Sequence, residues 1–108
     1  MQKDLKLRGG RTPTLERDIE KYLVREVEAR GGEIRKVRWD GRSGAPDRRA
    51  MLPGRCAWVE VKNPETIKHF PTNAHERAQY REHERMRKAG EVVLVLGTRE
   101  QVDEWLRS

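Results

Sequence analysis

One cysteine, Cys56, is too few for an internal disulfide, and no CxxC pair is present to hold zinc. Set among apolar residues, Cys56 reads as a buried, inert thiol. Long apolar runs are missing too. None approaches the roughly 18 residues of a membrane span, and the N-terminus has no apolar leader, so the expectation is a soluble, intracellular protein. Apolar residues make up only 34 % of the 108, against 39 % charged, so the core must be lean and a few dense strands must supply it. One domain is what this length allows.

What is present in excess is positive charge. Lysine and arginine total 24 against 18 acids, a formal charge of +6. Such a balance favours a polyanionic partner, because each phosphate contact releases condensed counterions. Trp39, Trp58, Trp105 and the run Val92 to Leu96 mark an ordered chain rather than a disordered one.

Residues 1–13 carry Lys3, Lys6, Arg8 and Arg11 around Gly9-Gly10 and read as a mobile basic arm. Residues 14–108 read as a single domain. Thr14 can cap a helix to about Arg30, with Leu15, Ile19, Tyr22, Leu23 and Val27 in one stripe, and Gly31-Gly32 stops it. Ile34 to Trp39 is a strand with basic residues interleaved, followed by the loop Asp40 to Gly44. Asp47 to Leu52 and Cys56 to Lys62 form a hairpin turned by Pro53-Gly54, and Asn63-Pro64 ends it. Residues 65–72 are a loop. Asn73 and Glu76 have the spacing of a capping box and open a helix to about Ala89, closed by Gly90. Glu91 to Gly97 is an apolar strand expected to be covered on both faces. Thr98 and Gln101 box the start of a last helix, which docks through Val102, Trp105 and Leu106. The order α-β-β-β-α-β-α predicts an α/β fold, a mixed central sheet with helices on its faces.

The hairpin carries the chemistry. Side chains two apart in a strand share a face, so Trp58, Glu60 and Lys62 project together while Ala57, Val59 and Val61 face the other way. A hairpin also brings Asp47 back beside Glu60, about one strand spacing apart. Two hard carboxylates at an open sheet end suit Mg²⁺, with Mn²⁺ a substitute, because Mg²⁺ takes one or two protein carboxylates and keeps its remaining water. Lys62 can then stabilise developing charge or hold the attacking water. The plainer alternative is a cross-strand salt bridge of Lys62 with Glu60 or Asp47.

Pro46-Asp47 and Glu60-Val61-Lys62 resemble the PD-(D/E)XK nuclease core. Gly44-Ala45-Pro46-Asp47-Arg48 is similar to the G-x-P-D-R signature of the VRR-NUC (virus-type replication-repair nuclease) branch, and Trp58 to Lys62 to its apolar run into E-x-K. Leu15 to Gly32 resembles the opening helix, and Gln79 matches the glutamine of the following helix. The likeness spans roughly residues 14–106. It implies a restriction-endonuclease-like core and a metal-dependent endodeoxyribonuclease of DNA repair, in bacterial or phage-infected cytoplasm. Small stand-alone members are similar to Holliday-junction resolvases acting as homodimers. Carried over residue by residue, the resemblance implies catalytic Glu16, Asp47, Glu60, Lys62 and Gln79, with Asp47, Glu60, Glu16 and Val61 as metal ligands.

Glu16 and Glu20 compete for the helix carboxylate. Glu16 lies nearer the centre of the apolar stripe and is favoured, while Glu20 can pair with Lys21 or Arg17 in solvent. Gln79 should lie on the inward flank of its helix beside Ala78 and Met86, orienting water, the lysine or a phosphate. The alternative is a surface glutamine. His75 and His83, one turn to either side, read as DNA-facing or solvent groups, and His69 offers nothing specific. Arg35, Lys36, Arg38, Arg42, Arg48, Arg49 and Arg55 flank the site and can hold phosphates without reading bases, or simply form a solvated face. With two tyrosines and one phenylalanine, aromatic base stacking is a poor basis for recognition, and shape-selective binding of branched DNA is the better one. Exposed edges such as Trp39 or Trp105 give reason to bury surface against a second copy. Two other readings are a non-catalytic DNA-binding module and a flap or restriction-type nuclease of the same fold.

Overall fold

A computed structural model describes residues 15–108. The basic stretch 1–13 and the proposed cap Thr14 lie outside the described residues. Helix α1 spans Glu16–Ala29, with Leu15 at the cap position. There the Leu15 N–H donates to Asp18 Oδ2 at 2.9 Å, so a first-turn carboxylate satisfies a helix-end amide. Strands β1 (Glu33–Lys36), β2 (Arg48–Leu52) and β3 (Arg55–Val61) follow. A 3₁₀ turn at Ile67–His69 leads to α2 (Ala74–Lys88), then β4 (Val93–Leu96) and α3 (Arg99–Arg107). The predicted order of elements is the observed one.

The four strands lie in the order β1-β2-β3-β4. The first two pairings are antiparallel and β3–β4 is parallel, which makes the sheet mixed. Period-two patterning sorts the faces. Ile34, Ala50, Ala57, Val59 and Val61 point to one side and are buried with Ile19, Leu23 and Val27 of α1 and Val102 and Leu106 of α3. Each valine, leucine and isoleucine among them contributes about 1.5–3 kcal/mol on burial. The opposite face is only partly covered, by α2 packing against β4.

Several expectations need correction. The first strand stops at Lys36, so Trp39 stands in the following loop rather than in the sheet. Its indole N–H donates to the Pro46 carbonyl at 2.8 Å, a tie across the loop that replaces a ladder bond. The strand Glu91 to Gly97 shortens to Val93–Leu96 and forms an edge of the sheet. An edge strand has a neighbour on one side only, and Val92 at the start of the run is half exposed. Cys56 is exposed, because its parity in β3 is that of Trp58 and Glu60 rather than that of Ala57. Trp105 is packed against the core under the Arg55 guanidinium, 5.2 Å from its ring centre, and so is not an exposed edge. The box at Thr98 and Gln101 is reciprocal, whereas at α2 only the Asn73 half forms, because the Glu76 side chain accepts from Thr72 instead. Asn73 accepts from Glu76 N–H at 2.8 Å, and Thr98 accepts from Gln101 N–H at 3.0 Å.

Candidate active site

The β2–β3 register fixes the centre of the site. Arg48 faces Val59 across the hairpin, and one step further the same register sets Asp47 opposite Glu60. On its other side Asp47 is tied to the chain beyond β1, since Val37 N–H donates to the Asp47 carbonyl at 2.8 Å. Glu60 and Lys62 share the face turned towards α2, while Val61 between them is buried in the core. Val61 can therefore offer the site only its backbone.

Lys62 does not pair along the hairpin. Its ammonium reaches α2, donating to Gln79 Oε1 at 2.6 Å and lying 3.5 Å from Glu76 Oε2. Phe70 presents its ring 5.2 Å away. Held by an amide, a carboxylate and a π-face, the lysine has one orientation. Gln79 is buried, which settles its alternative as a surface residue. Glu76 joins the site as well, which its place at the start of a helix does not reveal. The Oε1 atom accepts from Thr72 N–H at 2.8 Å while Oε2 faces Lys62. Its i, i+3 spacing to Gln79 was the available signal.

The two helix carboxylates separate. Glu20 lies 3.5 Å from the Arg48 guanidinium, an ion pair on the core side of the sheet. Against the expectation from the stripe, Glu16 is the more exposed of the two, since it stands in the first turn of α1, and it has no such partner among the described residues. Lost hydration raises its carboxyl above the ordinary value, and Glu20 raises it further. Lys62 opposes the rise, and Glu60 and Asp47 add smaller upward pushes. Glu16 thus feels all three hairpin groups.

The loop before Asp47 is clamped to α2. Arg42 Nε and Nη2 grip Glu82 at 3.0 and 2.6 Å, which raises the guanidinium's pKa and lowers the carboxyl's. Gly44, at φ 89°, sits where a Cβ would come 3.1 Å from the Ala78 carbonyl and 3.3 Å from Gln79 Cα. Both its backbone angle and the approach of α2 require glycine there.

His83 is fully buried, not solvent- or DNA-facing. Four residues after Gln79, it shares that residue's inward face. Its ring stacks on Phe70 at 6.1 Å, and Nε2 lies 3.8 Å from Glu60 Oε1, with neither nitrogen hydrogen-bonded. His75 and His69 are exposed. Among the basic residues, Arg42 and Arg48 are engaged as above. Arg35 pairs with Glu33 at 2.7 Å, and Arg49 lies over the Trp58 ring. Lys36 and Arg38 are exposed. Arg55 caps the end of α3, donating to the Leu106 carbonyl at 2.8 Å.

Among the described residues no three His, Cys, Asp or Glu side chains converge into a ready-made metal cage. That donor set suits Mg²⁺, which binds through one or two carboxylates, better than zinc, which needs three or four protein ligands. No helix among the described residues is long and apolar enough to cross a membrane.

No family model matches the chain. Over 86 residues it is 41 % identical to "Putative nuclease p44" of Acyrthosiphon pisum secondary endosymbiont phage 1, a match covering 79 % of this chain and 85 % of that protein. A solved VRR_NUC domain is similar at a TM-score of 0.70 and 41 % identity, over 85 % of this chain and 94 % of that one.

Proposed function

The chain belongs to the VRR-NUC nuclease family, and we propose that it is a Mg²⁺-dependent endonuclease selective for branched DNA, four-way junctions foremost, acting as a homodimer. The observation that carries the reading is the hairpin register that faces Asp47 to Glu60, with Lys62 immobilised on Gln79 beside them. Asp47 and Glu60 would hold the cation beside the Val61 backbone, and Glu16, which does not converge with them into a closed cage, would reach it from α1. When bound, a divalent cation supplies Lewis acidity to the phosphodiester and to water.

The chain's own groups do the rest. Gln79 and Glu76 aim the Lys62 ammonium, which stabilises charge on the phosphate oxygens or orients the attacking water. Lys36 and Arg38 hold phosphates outside the centre. A two-fold pair of such sites would address two strands of a junction, and a lean core has reason to bury more surface.

The test is cleavage of linear, nicked, flapped and four-way DNA with Mg²⁺ or chelator, beside light scattering on the same sample. Metal-dependent cutting that favours the four-way substrate, by a particle of twice the chain mass, is the expected result. Binding without cutting in either Mg²⁺ or Mn²⁺ would make the protein a DNA-binding module.

A further inference from the structure

The sheet face that bears Glu60 is left uncovered beyond α2, and the uncovered part is aromatic and cationic. Trp58 stands there two residues before Glu60, and Arg49 two residues after Asp47. The register pairs Arg49 with Trp58 directly. The Arg49 guanidinium lies 4.7 Å from the Trp58 ring centre, and Trp39 leans on the same ring at 4.9 Å and 52°. Three hydrogen bonds fix the stack. Trp39 donates to the Pro46 carbonyl at 2.8 Å, Trp58 to Glu91 Oε1 at 2.7 Å, and Arg49 to Cys56 Sγ at 2.7 Å. The outermost ring, Trp39, is 37 % exposed, a large apolar surface left open on a chain with little to spare.

We propose that the Trp39–Trp58–Arg49 stack is a nucleobase-holding subsite, which takes an unpaired base of the substrate strand about two nucleotides from the cleaved phosphate. The inference rests on the nuclease reading above and names the part of the substrate that its site grips. The open face of Trp39, held against a second ring that a guanidinium covers, is a surface on which bases stack, whatever their identity. Spacing agrees. Two residues along a strand are about 6.8 Å, and a stacked DNA strand advances about 3.4 Å per nucleotide. A base on the platform therefore lies about two steps from a phosphate held at Asp47 and Glu60. Because Trp39 is tied to the residue before Asp47, platform and carboxylates keep one geometry. The tyrosine and phenylalanine count had argued against stacking, but the rings that make the platform are tryptophans.

The experiment is a fluorescence titration in chelator, so that cutting plays no part, with oligothymidine and with a blunt duplex of equal length. Wild type, Trp39→Ala and Trp39→Phe are compared, and each is checked by sedimentation. Oligothymidine should quench wild-type tryptophan emission. Trp39→Ala should weaken its binding roughly five- to one-hundred-fold, the range spanned by stacking one base. Trp39→Phe, which keeps a ring but loses the N–H, should restore most of that affinity, and the duplex should be affected much less. Equal losses in Ala and Phe variants would assign the effect to the Pro46 tie and overturn the proposal, as would equal losses on duplex. A change in oligomeric state with unchanged DNA affinity would make the face a contact between copies instead. Wild type that binds oligothymidine through Trp39 but cuts no DNA would refute the nuclease reading and leave the subsite standing.

Discussion

Lys62 and Gln79 meet at 2.6 Å across the gap between β3 and α2, both nearly closed off from solvent. The contact joins the end of one strand to the middle of a helix 17 residues on. It predicts a division of labour. Gln79→Ala should lower the cleavage rate roughly ten- to one-hundred-fold, the usual cost of losing a group that orients a site residue. Metal affinity, measured by calorimetry, should stay the same. Lys62→Ala should remove cleavage and also spare metal binding, because ammonium is not a ligand. If Gln79→Ala loses metal affinity in step with rate, the glutamine serves the cation rather than the lysine.

Glu16 and Glu20 should respond oppositely. The raised pKa of Glu16 means that its stabilising contribution is complete at pH below the ordinary carboxylate value and is lost as pH rises through the raised one. At neutral pH without metal, Glu16→Gln should therefore melt higher than wild type, and the gain should vanish in acid. The same variant should lose activity. Glu20→Gln breaks the pair with Arg48 and should melt lower, with the smaller effect on cleavage. A Glu16→Gln variant that melts lower at neutral pH would show that the like charges are not crowded there.

Much of this site was legible before any coordinates. Alternation in β3 gave the shared face of Trp58, Glu60 and Lys62, and the hairpin turn gave the approach of Asp47 to Glu60, since both are local rules of strand geometry. Helical spacing also placed Gln79 inward. What local rules could not supply was the partner across a gap. Hairpin geometry offers Lys62 only its neighbours Glu60 and Asp47, whereas its partners stand on α2. His83 read as solvent-facing because imidazole is polar, although its spacing from Gln79 put it on the buried face. Arg42 and Arg48 looked like free cations for the same reason: the acids that hold them, Glu82 and Glu20, are distant in sequence. Trp39 left its strand because β1 ends early, which periodicity in a short basic segment does not define.

The loop ahead of Asp47 should tolerate little change. Gly44→Ala forces a side chain into a left-handed backbone against the Ala78 carbonyl and should cost about 1–3 kcal/mol in denaturant unfolding. Arg42→Ala leaves Glu82 without its two-pronged partner and should lower the unfolding midpoint, by less than loss of a buried pair because the arginine is half exposed. Activity should fall further than stability in both, since the loop delivers Asp47. Wild-type activity in a folded Gly44→Ala protein would show that the clamp does not position that carboxylate.

The most direct test of the central claim is Asp47→Asn, assayed for four-way junction cleavage in Mg²⁺ and for junction binding in chelator. The substitution keeps the shape of the side chain and removes one negative charge where the cation is placed, and a neutral amide oxygen is the poorer Mg²⁺ ligand. Cleavage should collapse, while metal-free binding persists or tightens because a charge that repels phosphate has gone. Cutting by Asp47→Asn at the wild-type rate would contradict the account and move the metal away from the Asp47–Glu60 pair.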